Sequence, residues 1–385
     1  CSNCRQLVMM TNFSFCPLII LSFLLVFQSH GTSAAQKDCF VNAIYSFGDS
    51  IADTGNLLRE GPVGFFATIG SYPYGETFKK PTGRCSDGLL MIDFFAMALN
   101  LSFINPYLDK SANFDNGANF AVAGATALDR SFFIERGIYS TFTNNPLSAQ
   151  LDWFKAHLNS TCSSQQDCAK RLGQSLFLLG EIGGNDYNYA FFQGRSMEEV
   201  TSYVPEVVKS ITDTAKEVIS LGATQLVVPG NFPIGCSPSY LSMFYTADAN
   251  AYDERKCLKS FNSFSSYHNK QLQAAVDELR RAYPNVTIMY ADYHEAFVHL
   301  LDHASDFGFN TDSLLTACCG SGGEYNFEIS AMCGAPGSSS CSDPNQYISW
   351  DGLHLTQEAY RVMAQSLIME GFAYPNDRVQ ETWTC

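Results

Sequence analysis

Four short apolar runs rich in β-branched and aromatic residues recur along the chain, at residues 41–47, 175–182, 225–229 and 286–291. Each is bounded by Gly, Pro, Asn or Asp, which reads as a buried strand between turns. Longer segments with apolar positions at helical spacing separate or follow them, at residues 87–99, 146–158, 197–221, 253–283 and 357–371. In the last of these Tyr360, Met363, Ala364 and Leu367 share a face, and Thr356 is placed to cap its start. Strand followed by helix, repeated, predicts an α/β fold with crossover helices and a parallel sheet. No linker, repeat or second domain interrupts residues 36–385, so one domain is expected there. In such sheets ligands bind beyond the carboxyl ends of the strands. The residues to inspect are therefore "GDS" after the first run, "GGNDYN" after the second, and "GNFPIGC" and "DYHEA" after the others.

The long apolar run at residues 15–27 is too short to cross a bilayer and precedes "SHGTSAAQ". Residues 1–35 read as a secretory signal peptide cleaved after Ala35, with Ser33 and Ala35 at the small-residue positions. The mature chain then starts near Gln36, although initiation at Met9 or Met10 would leave no basic segment ahead of the apolar run. The formal net charge is -15, from 23 basic and 38 acidic residues, and loss of Arg5 with the leader makes it 22 minus 38, or -16. That balance leaves no electrostatic footprint for nucleic acid or an anionic membrane surface; it fits a neutral or cationic small molecule, and it also serves solubility alone. No second run of spanning length follows, so no membrane insertion is expected, and the product is read as a monomer reaching the extracellular space or the vacuole.

Three of the 14 cysteines fall in the leader, leaving 11 for an oxidising compartment, hence disulfides and one odd thiol. Cys162 with Cys168, Cys236 with Cys257, and the cluster Cys318, Cys319, Cys333 and Cys341 read as loop staples. Glycan acceptor triplets begin at Asn100, Asn159 and Asn285.

Ser50, in "SFGDSIADTGN", stands where the first strand should turn, and its hydroxyl is expected to be exposed there. A serine nucleophile needs a base, an orienting group for the base, and donors aimed at the developing oxyanion. His157, His268, His299 and His303 lie within helical stretches and read as surface or packing groups. His354, in "YISWDGLHLT", has Asp351 three residues upstream in a glycine-containing turn that can fold a carboxylate onto the imidazole. "GGNDYN" offers the Asn185 amide and "NFAVAGAT" the backbone N–H of Gly124. The order Ser, Gly, Asn, Asp-x-x-His supplies every role of a serine esterase, and no G-x-S-x-G elbow competes with it. A zinc reading of "DYHEAFVHLLDH" fails on spacing, since H-E-x-x-H would need histidine where Val298 stands; no metal and no cofactor are expected.

"FGDSIADTGN", "NFAVAGA", "GGND" and "DGLH" stand in the order and approximate spacing of the GDSL or SGNH hydrolases, and the resemblance runs from about Cys39 to about Phe372. "PYGETF", "PTGRCSDG", "VPGNFPIGC" and "QYISWDGLHLT" are most similar to the plant branch that contains acetylajmalan esterase. The resemblance implies a flavodoxin-like three-layer α/β/α sandwich with a mostly parallel five-stranded sheet. It implies Ser50 as nucleophile, His354 as base, Asp351 as its orienter, and an oxyanion hole from the Ser50 and Gly124 amides with Asn185. It further implies hydrolysis of a carboxylic ester, a small acyl ester of a plant specialised metabolite such as an alkaloid. Acyl transfer on the same residues, lipase or carbohydrate acetylesterase activity, and a non-catalytic binding protein on the same fold are the alternatives. Leu355 departs from the broad plant pattern D-x-x-H-P-T, a departure that the acetylajmalan esterase branch shares.

Overall fold

Side chains alternate between two cores along the central strands of the computed structural model. The model describes residues 41–375 except Val63, Ser140 and Thr141, together with Val379, Thr382 and Trp383. The expected leader and its cleavage site lie outside the described residues, as do Cys39 and Cys385. Strands β1 (Ala43–Phe47), β2 (Gly117–Asn119), β3 (Ser175–Leu179), β4 (Gln225–Pro229) and β5 (Thr287–Ala291) form a parallel sheet in the order β2-β1-β3-β4-β5. Tyr45, Phe177, Leu226 and Ile288 enter one core, while Ile44, Leu176, Val227 and Met289 enter the other. The period of two along each strand explains why these runs read as nearly continuous apolar sequence: both faces are covered.

The first core is closed by the helices Leu147–Thr161, Val204–Ser220 and Lys259–Ala282, and the second by Met91–Ala98, Tyr293–Asp302 and Gln357–Met369. The three-layer sandwich is thus as expected. Two additions were not read from the pattern. Strand β2 is three residues, too short for a periodic signal, and β8 (Ala373–Tyr374) adds an antiparallel sixth edge to β5. A separate two-stranded ribbon joins β6 (Cys319–Gly320) to β7 (Ser339–Ser340).

Helix boundaries differ from the sequence reading for physical reasons. The segment expected as one helix over residues 197–221 is two, Met197–Thr201 and Val204–Ser220, because Pro205 has no N–H and is tolerated only in the first turn of the second. The helix expected from residue 253 starts at Lys259, since Cys257 is tied to Cys236 and Lys256 holds φ 67°. Thr356 does cap the last helix, accepting the Ala359 N–H at 3.2 Å. The loop staples form as Cys162–Cys168, Cys236–Cys257, Cys318–Cys341 and Cys319–Cys333. Among the described residues Cys85 is the free thiol, and it is buried.

The chain leaves β1 toward β2 on one side and later reaches β3 on the other, so the crossover direction reverses between β1 and β3. A crevice opens at the carboxyl ends of such a pair. One buried ion pair secures its flank. Arg84 donates to both oxygens of Asp93, at 2.8 and 2.7 Å, while its Nη1 reaches the Thr54 carbonyl at 3.4 Å; this ties the first turn of the Met91–Ala98 helix to the loop after β1. Removing one partner strands the other charge in the interior, so Asp93→Ala is expected to lower folding stability by about 3–5 kcal/mol, read as a large fall in Tm by calorimetry.

Candidate active site

Ser50 stands in the turn that follows β1, and the surrounding structure leaves that turn little freedom. Gly48 has φ +149°, and a Cβ there would lie 2.8 Å from the Glu181 carbonyl oxygen, so only glycine fits. Its N–H and carbonyl are both held by the Gln150 side chain, at 2.9 and 2.8 Å. The Asp49 N–H donates to the Glu181 carbonyl at 3.1 Å, which carries the β1–β3 pairing past the strand ends and brings "GGNDYN" beside the serine. That stretch is the start of the helix Gly184–Phe191 rather than a simple turn, with Asn185 in its first turn.

The third part arrives from the end of the chain. Residues 349–354 form a turn closed by the Trp350 N–H on the His354 carbonyl at 2.8 Å, and Asp351 Oδ1 accepts the N–H groups of Leu353 and His354 at 3.0 and 2.9 Å. Asp351 Oδ2 is thereby aimed at His354 Nδ1, 2.7 Å away, and His354 Nε2 lies 2.7 Å from Ser50 Oγ. All three side chains are buried, Ser50 with only 6% exposure, so its hydroxyl is recessed rather than displayed on an open turn as the sequence suggested. Burial pushes the Asp351 carboxyl up, but the neighbouring His354 and the hydrogen bonds from His354, Leu353 and Tyr74 outweigh it and hold the acid below its usual range.

The GDSL-like lipase/acylhydrolase family model matches residues 44–367, which include every element just described. The chain belongs to that family. It is 46% identical to acetylajmalan esterase 1 of Rauvolfia serpentina over 355 residues, 92% of each chain. It is 47% identical to sinapine esterase of Brassica napus over 347 residues, 89% of this chain and 88% of that one. A GDSL esterase/lipase of Arabidopsis thaliana is 46% identical over 369 residues, 95% of this chain and 90% of the relative. This GDSL protein is an ester hydrolase.

The other expected residues of this hydrolase converge on the same crevice. Gly124 has φ +80°, and a Cβ there would meet Tyr189 Oη at 3.0 Å and Phe142 Cβ at 3.1 Å. The amides of Asp49, Ile51, Ala52 and Asp53 are all bonded, as are those of Ala121, Val122, Ala123 and Ala125. Those of Ser50 and Gly124 find no partner among the described residues. The half-buried Asn185 donates from Nδ2 to Asp49 Oδ2 at 3.0 Å and to the Ala125 carbonyl at 3.1 Å. A cavity of about 310 Å³ opens over Ser50 and His354, walled by Phe66, Phe142, Tyr189, Phe192, Phe232 and Tyr240. Among the described residues its lining includes Asp49 and Glu181 and no Lys or Arg. Burial, and then Asp49, push the Glu181 carboxyl well up, so it stays protonated and hydrogen-bonds Asp49, whose own carboxyl burial raises to about 7.

Several residues that hold the site together were passed over in the sequence. Asp53, fully buried, accepts four amides: Gly55, Asn56 and Leu57 at 2.7, 2.6 and 3.0 Å, and Ala123 at 2.8 Å. Asp186 accepts Ala127 and Leu128 at 2.8 and 3.0 Å. Tyr74 donates to Asp351 Oδ2 at 2.8 Å. Their neighbours in sequence gave the only available sign, since Asp53 and Asp186 each lie within a few residues of a candidate.

Three further histidines are engaged elsewhere. His268 is buried and its Nδ1 bonds Tyr187 Oη at 2.7 Å, while His299 and His303 stack at 4.4 Å and pair with Glu370 and Asp306. Among the described residues no group of three or more His, Cys, Asp or Glu side chains could hold a metal ion.

Proposed function

We propose that this hydrolase cleaves a small acyl ester, of the acetyl type, of a plant specialised metabolite such as an alkaloid, through an acyl-enzyme on Ser50. The observation that carries the mechanism is the continuous hydrogen-bonded line from Ser50 Oγ through His354 to Asp351 at the floor of an apolar cavity. Ser50 Oγ attacks the ester carbonyl carbon and passes its proton to His354 Nε2, and the Asp351 carboxylate stabilises the imidazolium that forms. The carbonyl oxygen becomes an oxyanion that takes hydrogen bonds from the Ser50 and Gly124 amides and from Asn185 Nδ2. His354 then protonates the departing alcohol, and water repeats the sequence in reverse roles to free the acid. Donation by Asn185 is shared with, or replaces, one of its bonds to Asp49 and Ala125.

The substrate reading is supported by the likeness to acetylajmalan esterases of Rauvolfia serpentina at 46 and 47% identity. Aromatic walls suit a rigid apolar skeleton, and a lining with Asp49 and Glu181 and, among the described residues, no Lys or Arg suits a neutral or cationic ester. Secretion fits the same picture: the three glycan acceptors Asn100, Asn159 and Asn285 are all exposed, and no described helix is long and apolar enough to cross a membrane. The mature protein is expected to start near Gln36 and to carry glycan on at least one of these asparagines; an intact leader with no gel shift after glycosidase would overturn the secretory route.

Against a panel of acetylated alkaloids and short- and long-chain nitrophenyl esters, wild type should favour the acetyl esters. Ser50→Ala should abolish turnover with its fold intact, and a fluorophosphonate should label Ser50 alone. His354→Ala should be comparably damaging, and Asp351→Asn should cost a factor on the order of 10⁴. A Ser50→Ala enzyme that retains more than a few per cent of the rate would require another nucleophile.

Asn185 separates transition-state stabilisation from substrate holding. Asn185→Ala should lower kcat by about 10² to 10³ with little change in KM, because the oxyanion exists only beyond the ground state. A raised KM at constant kcat would instead make it a substrate-holding residue.

A further inference from the structure

Asp351 is more fully engaged than its role beside His354 requires. Its Oδ1 accepts two backbone amides and its Oδ2 accepts His354 Nδ1, yet Oδ2 also accepts the Tyr74 hydroxyl at 2.8 Å. A carboxylate offers about four lone-pair sites, and here all four are filled by protein donors with Asp351 only 1% exposed. Tyr74 is itself buried, packs edge-on against Trp350 with ring centroids 6.0 Å apart, and is anchored by its N–H on the Ser71 carbonyl at 3.2 Å. Its hydroxyl also hydrogen-bonds Thr68. A phenol placed there to fill space would need no oxygen aimed at the carboxylate.

We propose that Tyr74 is a positioning residue for ester hydrolysis, which fixes the orientation of Asp351 and sets how strongly that carboxylate supports the charged form of His354. The proposal rests on the Ser50, His354 and Asp351 reading above. Tyr74 acts as a donor throughout, because burial and then the Asp351 charge push its phenol far above the usual tyrosine range. Each hydrogen bond to Oδ2 draws charge from the oxygen that faces Nδ1. Without the phenol the carboxylate holds the imidazolium more tightly, so the acid limb of kcat/KM moves to higher pH. The carboxylate also loses one of the two contacts that aim Oδ2, so kcat falls.

The other titratable groups around this dyad are Asp49 from the serine loop, Cys85 from the segment before the Met91–Ala98 helix, and Tyr360 from the Gln357–Met369 helix. Burial pushes Cys85 and Tyr360 well up and keeps them neutral, and it raises the Asp49 carboxyl to about 7. Asp49 is common to wild type and variant, so the informative quantity is the displacement of the limb between them.

The test is the pH profile of Tyr74→Phe, which removes one oxygen and keeps the ring. The expected result is a displacement of the acid limb upward by about half a pH unit or more, with kcat reduced by roughly tenfold and KM little changed. Site-specific 3-fluorotyrosine at position 74, a stronger donor of nearly the same shape, should move the limb the opposite way, and it serves equally if the phenylalanine variant does not fold. Limbs that coincide in wild type and the folded variants, or that move the same way in both, would overturn the proposal. Loss of Ser50 labelling by fluorophosphonate in wild type would instead overturn the triad assignment on which it stands.

Discussion

The arrangement depends on one buried carboxylate that never faces the substrate. Asp53 accepts three amides from its own turn and a fourth from Ala123, and in doing so ties the loop that bears Ser50 to the loop that bears Gly124. Burial pushes its carboxyl up, and those four donors oppose the rise. Asp186 repeats the device one element further on, joining the Asn185 helix to Ala127 and Leu128. The three proposed oxyanion donors belong to three separate segments, and the two clamps set the segments' relative positions. Oxyanion stabilisation is effective only when its donors are already in place before charge develops. Fixing them by carboxylates with every bond short of 3.1 Å is a way to achieve that without a covalent link.

The same economy has an electrostatic cost close to the reacting atoms. Asp49 and Glu181 both line the cavity, and two carboxylates there would oppose a forming oxyanion. Burial and mutual repulsion resolve this by keeping Glu181 protonated, so the pair carries at most one charge. That remaining charge is spread over the Ile51 amide and Asn185 Nδ2, at 3.0 Å each. Asn185 is thus oriented by an acid whose own ionisation is held near neutrality.

The sequence made the sheet legible because its strands are covered on both faces and so read as unbroken apolar runs ending in glycine, proline or aspartate. Strand β2 escaped notice because three residues, Gly117–Asn119, carry no period, and β8 because two carry less. The helix Gly184–Phe191 was hidden by its own first residues, since Gly, Asn and Asp favour turns until the following apolar face is weighed. The meeting of Ser50, Asp351 and His354 was legible, Asp-x-x-His above all, because three residues of spacing suffice for a turn to join the two side chains. Tyr74 was not: it reaches Asp351 across 277 positions, and only the folded chain brings a phenol to that carboxylate.

The proposed triad is assembled from parts of unequal rigidity. Ser50 and Asn185 follow strands inside the sheet, but the turn that carries Asp351 and His354 lies beyond any strand of it. Part of its support comes from the β6–β7 ribbon and the residue before it: the amides of Cys318 and Cys319 donate to the Ser349 and Trp350 carbonyls at 2.9 and 2.7 Å. Those two cysteines are adjacent, and each is bridged to a different part of a glycine- and serine-rich loop, at Cys341 and Cys333. A loop of that composition has little apolar surface to bury and a large conformational entropy to lose, so the cross-links supply the constraint that packing does not. The staples therefore belong to the site as much as to the fold. They brace the segment that carries His354, and so connect two cross-links to the placement of a histidine 2.7 Å from the serine.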